Sequence, residues 1–106
     1  MNRNEILEVL KKIDKNEFNI EELGLFGSYA KEENTEDSDI DILVKLKFKK
    51  GMYQNFCNLQ DYLTEKMDKE VDLIEKSSFK YKYKNEKTRE FKEKIKQEIL
   101  ESVIYV

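Results

Sequence analysis

Gly27-Ser28, an interval of ten residues, and then Asp39-Ile40-Asp41 set a small-residue turn just upstream of two carboxylates one residue apart. Side chains alternate faces along a strand, so Asp39 and Asp41 project to the same side about 6.6 Å apart along the backbone, near enough to share metal ions. A Gly-Ser turn that opens a helix can receive phosphate through free backbone N–H groups and the Ser28 hydroxyl. Together these residues describe a place to hold a metal-bound nucleoside triphosphate.

Val71-Asp72-Leu73-Ile74 supplies a third carboxylate. Val71 and Leu73 face one way and Asp72 and Ile74 the other. If this strand lies beside the one carrying Asp41, Asp72 joins Asp39 and Asp41 in one cluster. Two like unit charges ~4 Å apart cost roughly 4 kcal/mol at an effective dielectric of ~20, so three carboxylates call for divalent cations. Two ions ~3.5–4 Å apart would let one lower the pKa of an attacking hydroxyl while the other grips the triphosphate and stabilises the departing pyrophosphate. The chain has no histidine, which excludes imidazole bases and His-ligated zinc and leaves oxygen-ligated Mg²⁺.

The elements that must position these groups alternate along the chain. Ile6, Leu7, Val9, Leu10 and Ile13 follow helical spacing and predict a helix from about Asn4, its possible cap, to Lys15. Ile20 to Phe26 reads as a strand meeting the turn at Gly27. In a second strand Ile40, Ile42, Val44 and Leu46 form an apolar face, alternating with Asp41, Leu43 and Lys45. Met52, Phe56, Leu59 and Leu63 mark a second long helix, and Val71 to Ile74 a third strand. Phe91, Ile95, Ile99 and Val103, with Leu100 and Ile104 alongside, predict a C-terminal helix fraying at Tyr105-Val106. The expected architecture is an α/β domain spanning residues 1–106, a small mixed sheet backed by helices with the metal site on its rim.

Composition bounds the reading. At 106 residues the chain is one domain of ordinary size, without room for a second substrate-binding domain. Charged residues make up 41% and the net charge is -3, so a well-solvated surface is expected. No segment approaches the ~20 apolar residues of a membrane span, and the first five residues lack a secretory apolar stretch, which points to the cytoplasm and away from membranes. The single cysteine, Cys57, has no internal partner and lies beside a helix's apolar stripe, the position of a packing residue.

Gly27-Ser28-Tyr29-Ala30, Ser38-Asp39-Ile40-Asp41-Ile42-Leu43-Val44 and Val71-Asp72-Leu73-Ile74 together resemble the minimal nucleotidyltransferases of the DNA polymerase β superfamily, in particular the MntA-type antitoxins paired with HEPN toxins. The resemblance covers essentially the whole chain, to the tail Glu101-Ser102-Val103-Ile104-Tyr105-Val106. It implies the nucleotidyltransferase fold, two Mg²⁺ ions at Asp39, Asp41 and Asp72, and nucleotide phosphates at Gly27 and Ser28. It further implies transfer of AMP from ATP to a tyrosine hydroxyl of a HEPN-family ribonuclease toxin, with Asp72 also helping to deprotonate the acceptor. Where the family commonly has an Arg-Gly pair, this chain has Lys31 and Glu32. Lys31 keeps the positive charge of a phosphate ligand without the bidentate geometry of arginine.

Two other functions compete with that expectation. A small-molecule nucleotidyltransferase of the antibiotic-modifying kind would share the motifs, but usually adds a helical domain to seat its acceptor. A pure binding module would block its partner by contact, with vestigial carboxylates. Phe79, Tyr81 and Tyr83 alternate with Lys80, Lys82 and Lys84 in a pattern able to stack on nucleic acid. An acidic net charge argues against a polyanion footprint and for an exposed segment resting its aromatic side on the body, so direct nucleic-acid binding is not expected. The same strip suits a protein–protein surface. Glu32, Glu33, Glu36 and Asp37 read as a solvated loop.

Overall fold

A computed structural model describes all residues, Met1–Val106. The elements in chain order are α1 (Arg3–Lys11), β1 (Ile20–Phe26), α2 (Gly27–Ala30), β2 (Ile40–Leu46), α3 (Met52–Met67), β3 (Val71–Glu75), a 3₁₀ helix (Lys76–Lys80), α4 (Glu86–Ser102) and β4 (Ile104–Tyr105). The strands form one sheet in the order β3-β2-β1-β4. β2 runs antiparallel to β1 and parallel to β3, with α3 as the crossover, and β4 pairs antiparallel with the outer side of β1. This is the small mixed sheet that the alternation of elements predicts.

One face of the sheet carries most of the core. Ile40, Ile42, Val44 and Leu46 of β2 lie with Leu23 and Leu25 of β1 and Val71 and Leu73 of β3 against Ile6 and Leu10 of α1 and Leu59 and Leu63 of α3. Fully burying each such side chain contributes about 1.5–3 kcal/mol, so this face holds the domain together. The other face is covered only by α4 and, at its margin, by the 3₁₀ helix. Phe26, Leu43 and Ile99 make a small second core there, with Ile74, Phe79, Ile95 and Val103 at its margin. The odd positions of β2, Asp41, Leu43 and Lys45, belong to this thinly covered face.

Two expectations from periodicity need correction. The first helix starts one residue earlier than expected and stops at Lys11 rather than Lys15. Its cap is Asn2, not Asn4: the Asn2 side chain accepts from Glu5 N–H at 2.9 Å while Asn2 N–H donates to the Glu5 carboxylate at 3.0 Å, a reciprocal box that satisfies two otherwise orphan donors. Beyond Lys11 the Asp14 carboxylate accepts from the N–H groups of Asn16 and Glu17, an alternative to helix that short acidic side chains offer the backbone.

The C-terminus does not fray. After Ser102 the chain turns extended, and Gly24 and Leu25 pair with Tyr105 and Ile104. Val106 N–H donates to Leu23 O at 2.9 Å, and the Lys15 ammonium donates to Val106 O at 2.7 Å. Gly24 makes this approach possible, because a Cβ there would lie 2.7 Å from Val103 Cγ2 and 3.0 Å from Ile104 O. Cys57 is half-buried and free on α3, as a packing residue should be.

Candidate active site

Strand register assembles the carboxylates. Across β2, Asp41 pairs with Phe26 on one side and with Asp72 on the other. Ile40 N–H donates to Glu70 O at 3.0 Å, which pins the entry of β3 beside that of β2. Asp39 stands immediately before the first residue of β2, so the strand begins one position later than the Asp-x-Asp spacing alone suggests. Asp39 and Asp72 are exposed at the open end of the sheet, and Asp41 is half-buried between them.

This placement shows in the acidity of Asp41. Burial first, then the charges of Asp72 and Asp39, push its carboxyl up from 3.8 to about 6. Each cause disfavours the anion in the absence of a nearby cation. The carboxylates face one another across the rim without converging on a point: no group of three His, Cys, Asp or Glu side chains stands close enough to hold an ion between them. The donor set is nonetheless hard oxygen throughout, and the repulsion that raises the proton affinity of Asp41 is what a divalent cation relieves, so these residues fit Mg²⁺.

Gly27 opens α2, a single turn leaving the end of β1. Its φ of +74° is in the left-handed region, and a Cβ there would run into the Asp41 carboxylate. Glycine is therefore required by both backbone and neighbour, and the neighbour is Asp41 itself. The N–H of Gly27 is not free for phosphate. It donates to the Ser102 hydroxyl at 3.2 Å, and that hydroxyl donates to Ile99 O at 3.3 Å. The donors left at this turn are the next first-turn N–H groups and the half-buried Ser28 hydroxyl. Arg3 braces the turn from α1, bonding Ala30 O at 3.4 Å and pairing with Glu32 at 2.8 Å.

A pocket of about 250 Å³ opens between this turn and α4, bounded among others by Gly27, Lys31, Asp72, Ile74, Glu98 and Ser102. Lys31 is thus beside Asp72, and its exposed ammonium can reach an anion there. Ser28, Asp39 and Asp41 are not among its walls. Glu98 and Ser102 were not singled out as site residues in the sequence. Both follow the helical spacing of Ile95 and Ile99, with Ser102 half-buried at the end of the helix and Glu98 exposed at the edge of the stripe.

The thinly covered sheet face, the glycine turn and the carboxylate rim define a nucleotidyl-transfer domain, and a family profile described as a nucleotidyltransferase domain matches residues 3–106. The chain belongs to that family and is an enzyme of the nucleotidyl-transfer class. A provisionally named protein adenylyltransferase of Methanocaldococcus jannaschii is 39% identical over 102 residues, covering 96% of this chain and 92% of the relative. The protein adenylyltransferase MntA of Thermococcus cleftensis is 41% identical over 75 residues, covering 71% of this chain and 75% of the relative. Among solved structures, a minimal nucleotidyltransferase superposes with a TM-score of 0.61 at 22% identity, over 96% of this chain and 86% of the other. A toxin–antitoxin complex with AMP-PNP gives 0.57 at 21% identity, over 99% and 72%. At that identity the solved structures establish the shared fold.

Proposed function

We propose that this enzyme is an antitoxin that transfers AMP from ATP to a tyrosine hydroxyl of a HEPN-family ribonuclease toxin. The observation that carries the reading is the half-buried Asp41, in register with Asp72 and seated against Gly27, its carboxyl pushed up to about 6 by burial and by its two acidic neighbours. Such a group is electrostatically unfavourable at neutral pH unless it serves a cation. Protein adenylyltransferase relatives and toxin–antitoxin neighbours support the acceptor class and the partner.

In this reading Asp39, Asp41 and Asp72 hold two Mg²⁺ ions, which when bound supply charge to a triphosphate and acidify the attacking hydroxyl. The Gly27-Ser28 turn orients the phosphates through the Ser28 hydroxyl and first-turn N–H groups, and Lys31 neutralises phosphate charge from the pocket side. The phenol oxygen of the acceptor bonds to the α-phosphorus, the bond from that phosphorus to the bridging oxygen of the β-phosphate breaks, and diphosphate departs. The phenol proton passes to Asp72, which is exposed where an acceptor can approach. A phenol of pKa ~10 needs far less help to ionise than an aliphatic alcohol. The rim is open, so an acceptor presented on another protein reaches it without a lid. The added phosphate then repels RNA at the toxin's cutting site.

Incubating the chain with its toxin, ATP and Mg²⁺ and weighing both proteins intact tests the reading. AMP increments are expected on the toxin, absent with an Asp39→Ala/Asp41→Ala variant. A toxin silenced with its mass unchanged makes the chain a steric antitoxin instead. Increments on an aminoglycoside-type small molecule, with none on the toxin, make it an antibiotic-modifying enzyme.

A further inference from the structure

The Phe79-Tyr81-Tyr83 strip has no part in the chemistry above, yet it forms the wall of a second pocket. Phe79 lies on the 3₁₀ helix and packs against the small core beneath α4. Tyr81 and Tyr83 follow it, their ring centroids 4.6 Å apart in an edge-to-face arrangement. α4 fixes the wall from the other side: Arg89 donates to Tyr83 O at 3.4 Å, and the Lys92 ammonium stands 5.8 Å from the centre of the Tyr83 ring. Between wall and helix is a space of about 270 Å³ floored by Ile74, Ile95 and Ile99. Lys80, Lys82 and Lys84 remain in water, as an exposed segment resting on the body requires.

This space adjoins the pocket at the glycine turn. Ile74, Ile95 and Ile99 line both. Asp72 and Ile74 sit on the same face of β3, about 6.6 Å apart along the strand. Of the two neighbouring spaces, one therefore meets the carboxylate rim and Lys31, and the other sets an aromatic wall against an apolar floor, with the charged side chains of α4 around its mouth. A ligand suited to both is anionic where it meets Asp72 and the metals, and flat and aromatic one short spacer further along. A nucleotide has that form: phosphate, ribose, base.

We propose that the pocket walled by Tyr81 and Tyr83 seats the base of the nucleoside triphosphate, gripping it by stacking and not by reading its edge. The inference rests on the nucleotidyl-transfer reading of the rim. No polar or charged side chain is buried anywhere in the molecule, and the polar side chains that line this space, Ser78, Arg89, Lys92, Glu93 and Lys96, are exposed or at most half-buried, in contact with water. Base selection needs buried hydrogen-bonding groups that penalise the wrong partner. Stacking accepts any base, since every base presents a π-face. The pocket thus binds ATP and GTP alike, and preference for AMP transfer, where it exists, arises at the acceptor step.

Calorimetric titration of the full chain with Mg²⁺-ATP, Mg²⁺-GTP and Mg²⁺-tripolyphosphate tests this directly. The Tyr81→Ala/Tyr83→Ala variant is expected to bind ATP about ten-fold or more weakly, the loss of a base–aromatic stack, with tripolyphosphate affinity unchanged. Tyr81→Phe/Tyr83→Phe should bind ATP as the wild type does, and wild-type affinities for ATP and GTP should agree within about three-fold. An alanine variant that binds ATP normally, or that loses tripolyphosphate equally, overturns the base placement alone and leaves the rim chemistry standing. A hundred-fold preference for one purine overturns the stacking argument. Wild-type protein that binds none of the three ligands overturns the nucleotidyl-transfer reading and the base pocket together.

Discussion

Replacing Asp41 with asparagine should make the metal-free protein more stable while abolishing transfer. The carboxyl of Asp41 is raised from 3.8 to about 6 in the folded chain. Folding therefore favours its protonated form, and ionisation costs the native state something the unfolded chain does not feel. A shift of roughly 2 units corresponds to about 3 kcal/mol at full value, and because the group is half exposed, solvent screening leaves about 1–1.5 kcal/mol. The sign follows from the direction of the shift: the penalty is absent below the unfolded value of 3.8, grows as pH rises, and is complete above about 6. Asparagine has the same shape and no charge. In chelator at pH 7.5 the Asp41→Asn protein should melt about 4–8 °C higher, the change that ~1 kcal/mol produces in a domain of this size. Near pH 4 the two proteins should melt together. Mg²⁺ should raise the melting point of the wild type and leave the variant where it was. A variant that is less stable than wild type at pH 7.5, or a difference that stays constant with pH, would refute the electrostatic account of the rim.

Other substitutions probe the supports of the site. Gly27→Ala should cost about 1–3 kcal/mol in urea unfolding, since the backbone conformation is left-handed and the new methyl meets Asp41, and transfer should be lost with it. Gly24→Val should strip the C-terminal strand from β1, seen in hydrogen exchange as lost protection of the Val106 amide, because its side chain would occupy the space of Val103 and Ile104. Ser102→Ala removes the acceptor of the Gly27 N–H and should lower stability by about 1 kcal/mol in denaturant titration. Asn2→Ala should cost about 1 kcal/mol of thermal stability through loss of the helix cap, with transfer rates unchanged.

The chain announces its carboxylate rim plainly and the place of its C-terminal helix faintly. β1 and β2 are readable to the residue because their apolar runs end at Gly27 and begin just after Asp39, where composition changes abruptly. Asp72 is readable because period-2 alternation in Val71-Asp72-Leu73-Ile74 leaves one polar position, and pairing in register with Asp41 follows once β3 lies parallel to β2. What α4 does is not legible in this way. Its stripe of Ile95, Ile99 and Val103 matches an amphipathic helix equally well on either face of the sheet, and nothing local shows that the stripe ends in a strand. That ending depends on Gly24, eighty residues upstream, having no side chain. Ser102 and Glu98 acquire their place beside Gly27 only through this tertiary choice.

The two faces of the sheet explain why the site is where it is. A sheet clad on both sides would bury Asp41 completely, and a carboxylate that deep would stay protonated or unfold the strand. A sheet bare on the second face would leave Asp41 fully solvated, with no repulsion for a cation to relieve and no walls for a base. α4 touches that face through Ile99 and its neighbours, leaving the strand entries open at one end and an aromatic recess at the other. Half coverage is therefore what keeps Asp41 between the extremes, half-buried with its carboxyl raised to about 6, as the proposed metal site requires. Any change that presses α4 closer, such as Ile95→Phe, should raise the pKa of Asp41 further while narrowing the recess beside it. Titration of its carboxyl carbon by NMR, together with ATP affinity, measures the two effects on one protein, and a variant that tightens ATP binding while leaving Asp41 at about 6 would break the link between coverage and chemistry.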